Sequence, residues 1–188
     1  MAFAPKTKKP KKMLDAPGLY EYAVRQLAGK MRTVAALKRL MRRHVEPGEA
    51  GEALIDAVVL KCKQQNYLND TRFAQDYTRM RQTNEKFGKR RVQQDLMQKG
   101  VKSDLIATTL SDAYDPIDEA ALCRAHIARK RMKPPVDQKE TARAVGRLMR
   151  AGFSANTIFK VLKSWNVAEE ALDGLESIED DDAAPHAE

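Results

Sequence analysis

The sequence predicts an all-α fold: an elongated array of three tandem three-helix repeats, a right-handed helical repeat stack with no sheet. Three observations carry that prediction. Aliphatic residues dominate the apolar fraction, and Ala, Leu, Lys, Arg, Glu and Gln are strong helix formers. No run of five or more residues shows the Val/Ile/Thr alternation of a half-buried strand. A motif recurs three times without gaps, as Leu40-Met41-Arg42-Arg43-His44-Val45, Leu96-Met97-Gln98-Lys99-Gly100-Val101 and Leu148-Met149-Arg150-Ala151-Gly152-Phe153. After each comes an Ile with partners three and four residues on (Ile55/Val58/Val59, Ile106/Thr109/Leu110, Ile158/Val161/Leu162). The spacings of 56 and 52 residues are too long for two-helix repeats and leave room for three helices per unit.

The elements follow in order. Residues 1–16 hold five lysines between Lys6 and Lys12 and cannot bury enough apolar area to fold alone, which predicts a disordered basic arm. The first repeat, 17–66, starts a helix at Pro17 with Leu19, Ala23 and Leu27 on one side and ends it at Gly29. Thr33 caps a second helix carrying Val34, Leu37, Leu40 and Met41, and the loop 46–51 leads to a third with Leu54, Ile55, Val58, Val59 and Cys62 inward. The second repeat, 67–114, begins at Tyr67. Asp70 is the predicted cap of a helix over 71–82, whose Phe73, Tyr77 and Met80 share one face. The next helix is predicted over 89–98 and stops at Gly100; Ser103 is the predicted cap of the one after it. The third repeat, 115–167, opens at Asp115-Pro116 with Ile117, Ala121 and Ile127 inward and closes that helix at Pro134-Pro135. A helix over 138–150 and one capped by Ser154 complete it. Residues 168–188 form a predicted disordered acidic tail.

Charge divides the chain in three. The formal net charge is +8, but nine acids and no Lys or Arg lie between Glu169 and Glu188. Setting aside Lys6–Lys12 and Glu169–Glu188 leaves 29 cations against 17 anions, which points to a polyanionic partner or an acidic protein surface. Arg72, Arg79, Arg81, Lys86, Lys89, Arg90, Arg91 and Lys99 surround the turn at Gly88, with Asp76, Glu85 and Asp95 the only acids from Phe73 to Lys99. Arg39, Arg42 and Arg43 hold the matching place in the first repeat. These eleven are the candidate partner-binding residues, because an arginine fork pairs with carboxylate or phosphate alike. A solvated helix exterior is the competing reading.

Nothing in the sequence carries bond-making chemistry. There is no G-x-G, no phosphate-binding G-x-x-x-x-G-K-[ST] and no G-x-S-x-G. Cys123 and His126 lie one helical turn apart, but Cys62 is the only other cysteine, so a four-ligand metal site is not expected. Gly48-Glu49-Ala50-Gly51 mimics a GXXG loop without its basic residues. No cofactor is expected and no enzymatic activity. Cys62 and Cys123 fall on apolar helix faces, as reduced thiols of an intracellular protein do. The basic N-terminus lacks the apolar stretch of a secretory signal, and no apolar run reaches a membrane span. A cytoplasmic monomer is the expectation. Tyr67, Phe73, Tyr77, Phe153 and Trp165 occupy core-pattern positions, which argues against base stacking as the main binding mode. Met41, Met97 and Met149 are expected in the core.

The run Tyr67-Leu68-Asn69-Asp70-Thr71-Arg72-Phe73-Ala74, then Phe87-Gly88-Lys89-Arg90-Arg91-Val92, Leu96 and Lys99-Gly100-Val101, resembles the RecX family of recombinase regulators. Ala151-Gly152-Phe153-Ser154, Ile158, Val161 and Leu162 fit that family's third repeat. The similarity covers roughly Gly18 to Trp165. His44, where the other two motifs have Gly, Ala36 in place of an acid before Leu37, and the longer loop 46–51 depart from the pattern. The resemblance implies a non-enzymatic modulator that binds the groove of the RecA–DNA filament and mostly inhibits ATP hydrolysis, strand exchange and coprotease activity. Some members also touch DNA, so direct contact with single- or double-stranded phosphates is the alternative. The acidic tail folding back on the basic face is a further expectation.

Overall fold

The computed structural model describes residues 13–165. Most of the predicted basic arm and the whole of the predicted acidic tail lie outside the described residues. Among the described residues the protein is all-helical: α1 Ala16–Gly29, α2 Val34–Met41, α3 Glu49–Gln64, α4 Asp70–Met80, α5 Lys89–Gln98, α6 Ser103–Tyr114, α7 Glu119–Arg129, α8 Gln138–Arg150 and α9 Ala155–Lys163. A π-helical turn, Arg81–Glu85, follows α4 directly.

The helices start where short polar side chains take up the orphan N–H groups of their first turns. Asp15 accepts from Gly18 N–H, Thr33 from Ala36 N–H, Asp137 from Glu140 N–H and Ser154 from Thr157 N–H. Three starts differ from expectation, two of them because the predicted cap is used elsewhere. Asn69 rather than Asp70 receives the Arg72 N–H, because the Asp70 carboxylate accepts from Val34 N–H at the start of α2. Asp118 rather than Asp115 opens α7, because Asp115 closes α6 and its carboxylate is held by Ser111 and by Lys89. Ile117 therefore sits in an exposed turn ahead of α7, and Ala121 faces outward. Ser103 is the first residue of α6, not its cap.

The chain divides into two compact units. One runs through Phe73 and includes Lys99–Val101; the other comprises Ala74–Gln98 and the chain from Lys102 onward. In the first, α1, α2 and α3 close over Leu19, Leu37, Met41, Ile55 and Cys62, all fully buried. In the second, Val92, Leu96, Leu148, Phe153, Ile158 and Leu162 are fully or almost fully buried. Each such side chain contributes about 1.5–3 kcal/mol by leaving water. Besides Ile117 and Ala121, three core expectations fail. Tyr67 is 55% exposed, Met97 60% and Met80 45%. Tyr67 and Met97 lie at or beside helix ends, where periodicity no longer fixes which side faces a neighbour.

Two motif glycines make close contacts with the start of an earlier helix, and they do equivalent work. Gly100 has φ +74°, and a Cβ built on it would lie 2.4 Å from the Ala35 Cβ in the first turn of α2. Gly152 has φ +91°, and its Cβ would lie 2.2 Å from the Arg91 N in the first turn of α5. Backbone bonds from Gly88 N–H to Ala151 O (2.9 Å) and from Arg90 N–H to Gly152 O (3.3 Å) lock the second contact. In the ungapped alignment Ala35 and Arg91 are the same position. The glycine closing one motif thus seats on the helix start of the motif before it, and only a residue without a side chain fits. His44 stands at the first motif's corresponding position, and its ring packs on Tyr22 instead, centroids 4.5 Å apart. Gly51, the second glycine of the GXXG mimic, is also a close approach, its would-be Cβ 2.0 Å from Glu46 O.

Candidate partner-binding surface

The eleven sequence-predicted cations fall into those that hold the fold and those that face solvent. In the first unit Arg42 makes a two-pronged pair with Glu52, Nε to Oε1 at 2.6 Å and Nη2 to Oε2 at 3.0 Å. That hydrogen bond holds the Glu52 carboxyl below its ordinary range and raises the Arg42 guanidinium. Lys38, which the sequence reading did not single out, pairs with Asp56. Arg39 and Arg43, one turn apart on and just beyond α2, are exposed and have no ion pair among the described residues. Arg72 is exposed, and Lys99 is half-buried with its carbonyl accepting from the Thr33 hydroxyl at 2.6 Å.

In the second unit the cations surround one buried acid. Asp95, 7% exposed, accepts from the Tyr77 hydroxyl at 2.8 Å. Arg81 Nε donates to that same Tyr77 oxygen at 2.8 Å and lies 3.5 Å from the Asp95 carboxylate. Arg91 approaches the other carboxylate oxygen at 3.2 Å, in ion-pair range but off the hydrogen-bond line. Both guanidiniums also lie over the Phe87 ring, at 5.7 and 5.8 Å. Burial, then the bond to Asp95, pushes the Tyr77 phenol up, so it stays a donor. A buried carboxylate is tolerable only with this much compensation, so Arg81 and Arg91 hold the fold. Lys89 pairs with Asp115 at 2.9 Å, and Arg79 with Asp76 at 2.9 Å. Lys86, left-handed at φ 55°, ends the π turn, and Arg90 is exposed.

That π turn is pinned through its carbonyl. His126 Nδ1 lies 3.0 Å from Glu85 O, with the ring between Phe87 and Phe153 at 5.8 and 5.6 Å. Burial pushes the His126 pKa down, keeping the imidazole neutral with Nδ1–H as the donor. The Glu85 side chain meets Arg129 and Lys130 at 3.5 and 3.6 Å. Cys62 and Cys123 are buried free thiols; burial pushes Cys123 up to about 12 and Cys62 up as well, which makes both poor nucleophiles. Among the described residues no group of three or more His, Cys, Asp or Glu could hold a metal ion, and no helix is long and apolar enough to cross a membrane.

The sequence reading missed a row of cations on α8. Thr141, Ala144 and Leu148 face the core, and Lys139, Arg143, Arg147 and Arg150 occupy the opposite side at i, i+4, i+8 and i+11. All four are exposed and have no ion pair among the described residues. Gly146 lies between them, with the Arg150 guanidinium against it at 3.3 Å from where a Cβ would stand. The spacing is readable in the sequence, although the cluster around Gly88 is denser.

This is an all-helical protein whose polar surface offers guanidinium and ammonium groups, and solved structures of that architecture exist. One described as the crystal structure of regulatory protein RecX aligns with a TM-score of 0.61 at 19% identity, over 79% of this chain and 73% of that one. RecX from Lactobacillus salivarius aligns with a TM-score of 0.53 at 15% identity, over 88% and 96%. Residues 69–110 match the family model described as RecX, second three-helix domain. Regulatory protein RecX of Leptothrix cholodnii is 32% identical over 143 residues, covering 75% of this chain and 85% of the relative. That of Chromobacterium violaceum is 33% identical over 120 residues, covering 64% and 75%. The chain belongs to the RecX family of regulatory proteins.

Proposed function

We propose that this protein is a non-enzymatic cytoplasmic regulator of the RecA recombinase, built from three tandem three-helix units, that binds the groove of the RecA–DNA filament and mostly inhibits its ATP hydrolysis, strand exchange and coprotease activity. Family membership supports the partner, and the observation that carries the binding mode is the exposed pair of Arg39 on α2 and Arg43 just beyond it, neither in an ion pair among the described residues. Guanidiniums that neither stabilise the fold nor meet an internal acid are available to carboxylates of a protein groove or to phosphates. Arg72, Arg90 and Lys99 are further candidates that also hold contacts within the chain, while Arg81 and Arg91 act through the shape of the turn they hold. A protein lying along the groove in this way hinders the protomer movements that ATP turnover requires.

Co-sedimentation with assembled filament, free recombinase and bare DNA, run side by side, tests the proposal. It predicts retention on filament above both other targets. The alternative, direct non-specific binding to DNA phosphates, is supported by the α8 row and predicts equal retention on bare DNA with a steep salt dependence.

A further inference from the structure

The outer face of α8 is the counterpart of a face that the protein covers elsewhere. Aligned on the motif, Ala35 of α2, Arg91 of α5 and Arg143 of α8 are one position. Gly100 seats on the first and Gly152 on the second. No motif glycine follows Gly152, and Arg143 is exposed. Four residues on, α5 carries Asp95, buried under Tyr77 and Arg81, where α8 carries exposed Arg147. The helix start that takes a later stretch of chain in α2 and α5 is therefore open in α8, and four residues on α8 presents an exposed cation, as α2 does with Arg39, where α5 has a covered acid.

The next stretch of chain is acidic. Residues 166–188 lie outside the described residues and follow Trp165 just after α9, which packs on α8. Glu169, Asp173, Glu176 and Asp180 are spaced i, i+4, i+7 and i+11. Lys139, Arg143, Arg147 and Arg150 span the same eleven positions on α8. From Trp165 to Asp180 an extended chain reaches about 50 Å, ample against the roughly 16 Å that α8 spans between Lys139 and Arg150.

We propose that the acidic segment from Glu169 to Asp182 docks on the exposed basic face of α8, in the place a further repeat would occupy, and screens that face from external polyanions. The pairing is charge-assisted and solvent-exposed, so it is weak enough to be displaced and sensitive to salt. It stands independently of the recombinase reading, because it needs no partner.

The test uses the full chain with Ser177→Cys carrying a nitroxide; the two native thiols are buried and leave one labelling site. Amide relaxation measured in 50 mM salt should show at least a threefold loss of peak intensity confined to residues 139–150. The loss should disappear in 0.5 M salt and in an Arg143→Glu, Arg147→Glu, Arg150→Glu variant whose other resonances are unchanged. No loss, loss centred on Arg39 and Arg43, or loss only when labelled and unlabelled copies are mixed would overturn the proposal. In the last case the tail would reach a second copy rather than its own α8.

Discussion

Helices α5 and α8 hold equivalent places in the sequence motif, yet their outer faces do opposite things. On α5 the pair Arg91 and Asp95 is drawn in: Gly152 packs on the Arg91 backbone, Tyr77 and Arg81 cover the carboxylate, and the charges satisfy one another. On α8 the corresponding Arg143 and Arg147 have no acid between them in the sequence and are exposed, with no ion pair among the described residues. A cation count cannot distinguish the two faces. Arginines that compensate a buried acid are part of the scaffold, and exposed arginines outside such a network are available to carboxylate or phosphate.

The contrast breaks most visibly at the glycines. Gly152→Ala forces a Cβ to within 2.2 Å of the Arg91 backbone at a positive φ, so it should cost more than about 4 kcal/mol or prevent folding. Gly146→Ala on the open face of α8 meets only the flexible end of Arg150 and should instead stabilise by up to about 1 kcal/mol through helix propensity. Urea denaturation of the two variants checks both signs.

Next in size is the buried acid. Asp95→Ala leaves Arg81 and Arg91 facing each other without a counter-charge and should destabilise by about 3 kcal/mol, the low end for a broken buried pair because both arginines are partly exposed. Arg147→Asp, which writes the α5 residue into α8, should leave the thermal midpoint essentially unchanged. Equal losses in the two variants would erase the distinction between the faces.

A smaller effect comes from His126, which reports on the covered region only. Its pKa is lowered on folding, so the unfolded chain binds the extra proton first and stability falls with acid. The contribution is complete above the unfolded value of about 6.5 and is lost as pH drops toward the lower folded value. The groups facing the ring include the Glu85 and Lys86 backbone, the Glu85 and Lys130 side chains, Phe87 and Phe153. A thermal-midpoint profile from pH 7.5 to 5 should slope downward below about 6.5. His126→Gln should flatten that slope.

Much of this was legible in the sequence, and the failures have physical causes. The 3.6-residue period and the Thr33 and Ser154 caps placed most helices, because those signals are local. The motif glycines were visible as a repeat, but that each seats on an earlier helix start depends on tertiary geometry that no spacing encodes. Asp115 looked like the cap of α7 because an Asp-Pro step usually opens a helix; whether its carboxylate is free depends on Lys89, twenty-six residues away. Arg91 and Asp95 at i, i+4 resemble an ordinary surface pair, and only the arrival of Tyr77 and Arg81 buries the carboxylate. The four α8 cations needed nothing beyond the helical period.

The central proposal is that exposed arginines with no ion pair among the described residues, rather than the densest cluster, engage the filament. The most direct measurement is co-sedimentation of Arg39→Ala/Arg43→Ala with assembled RecA–DNA filament, with thermal stability followed in parallel. At least a tenfold weaker association with an unchanged melting temperature is the predicted result. Wild-type retention by this variant would contradict the account.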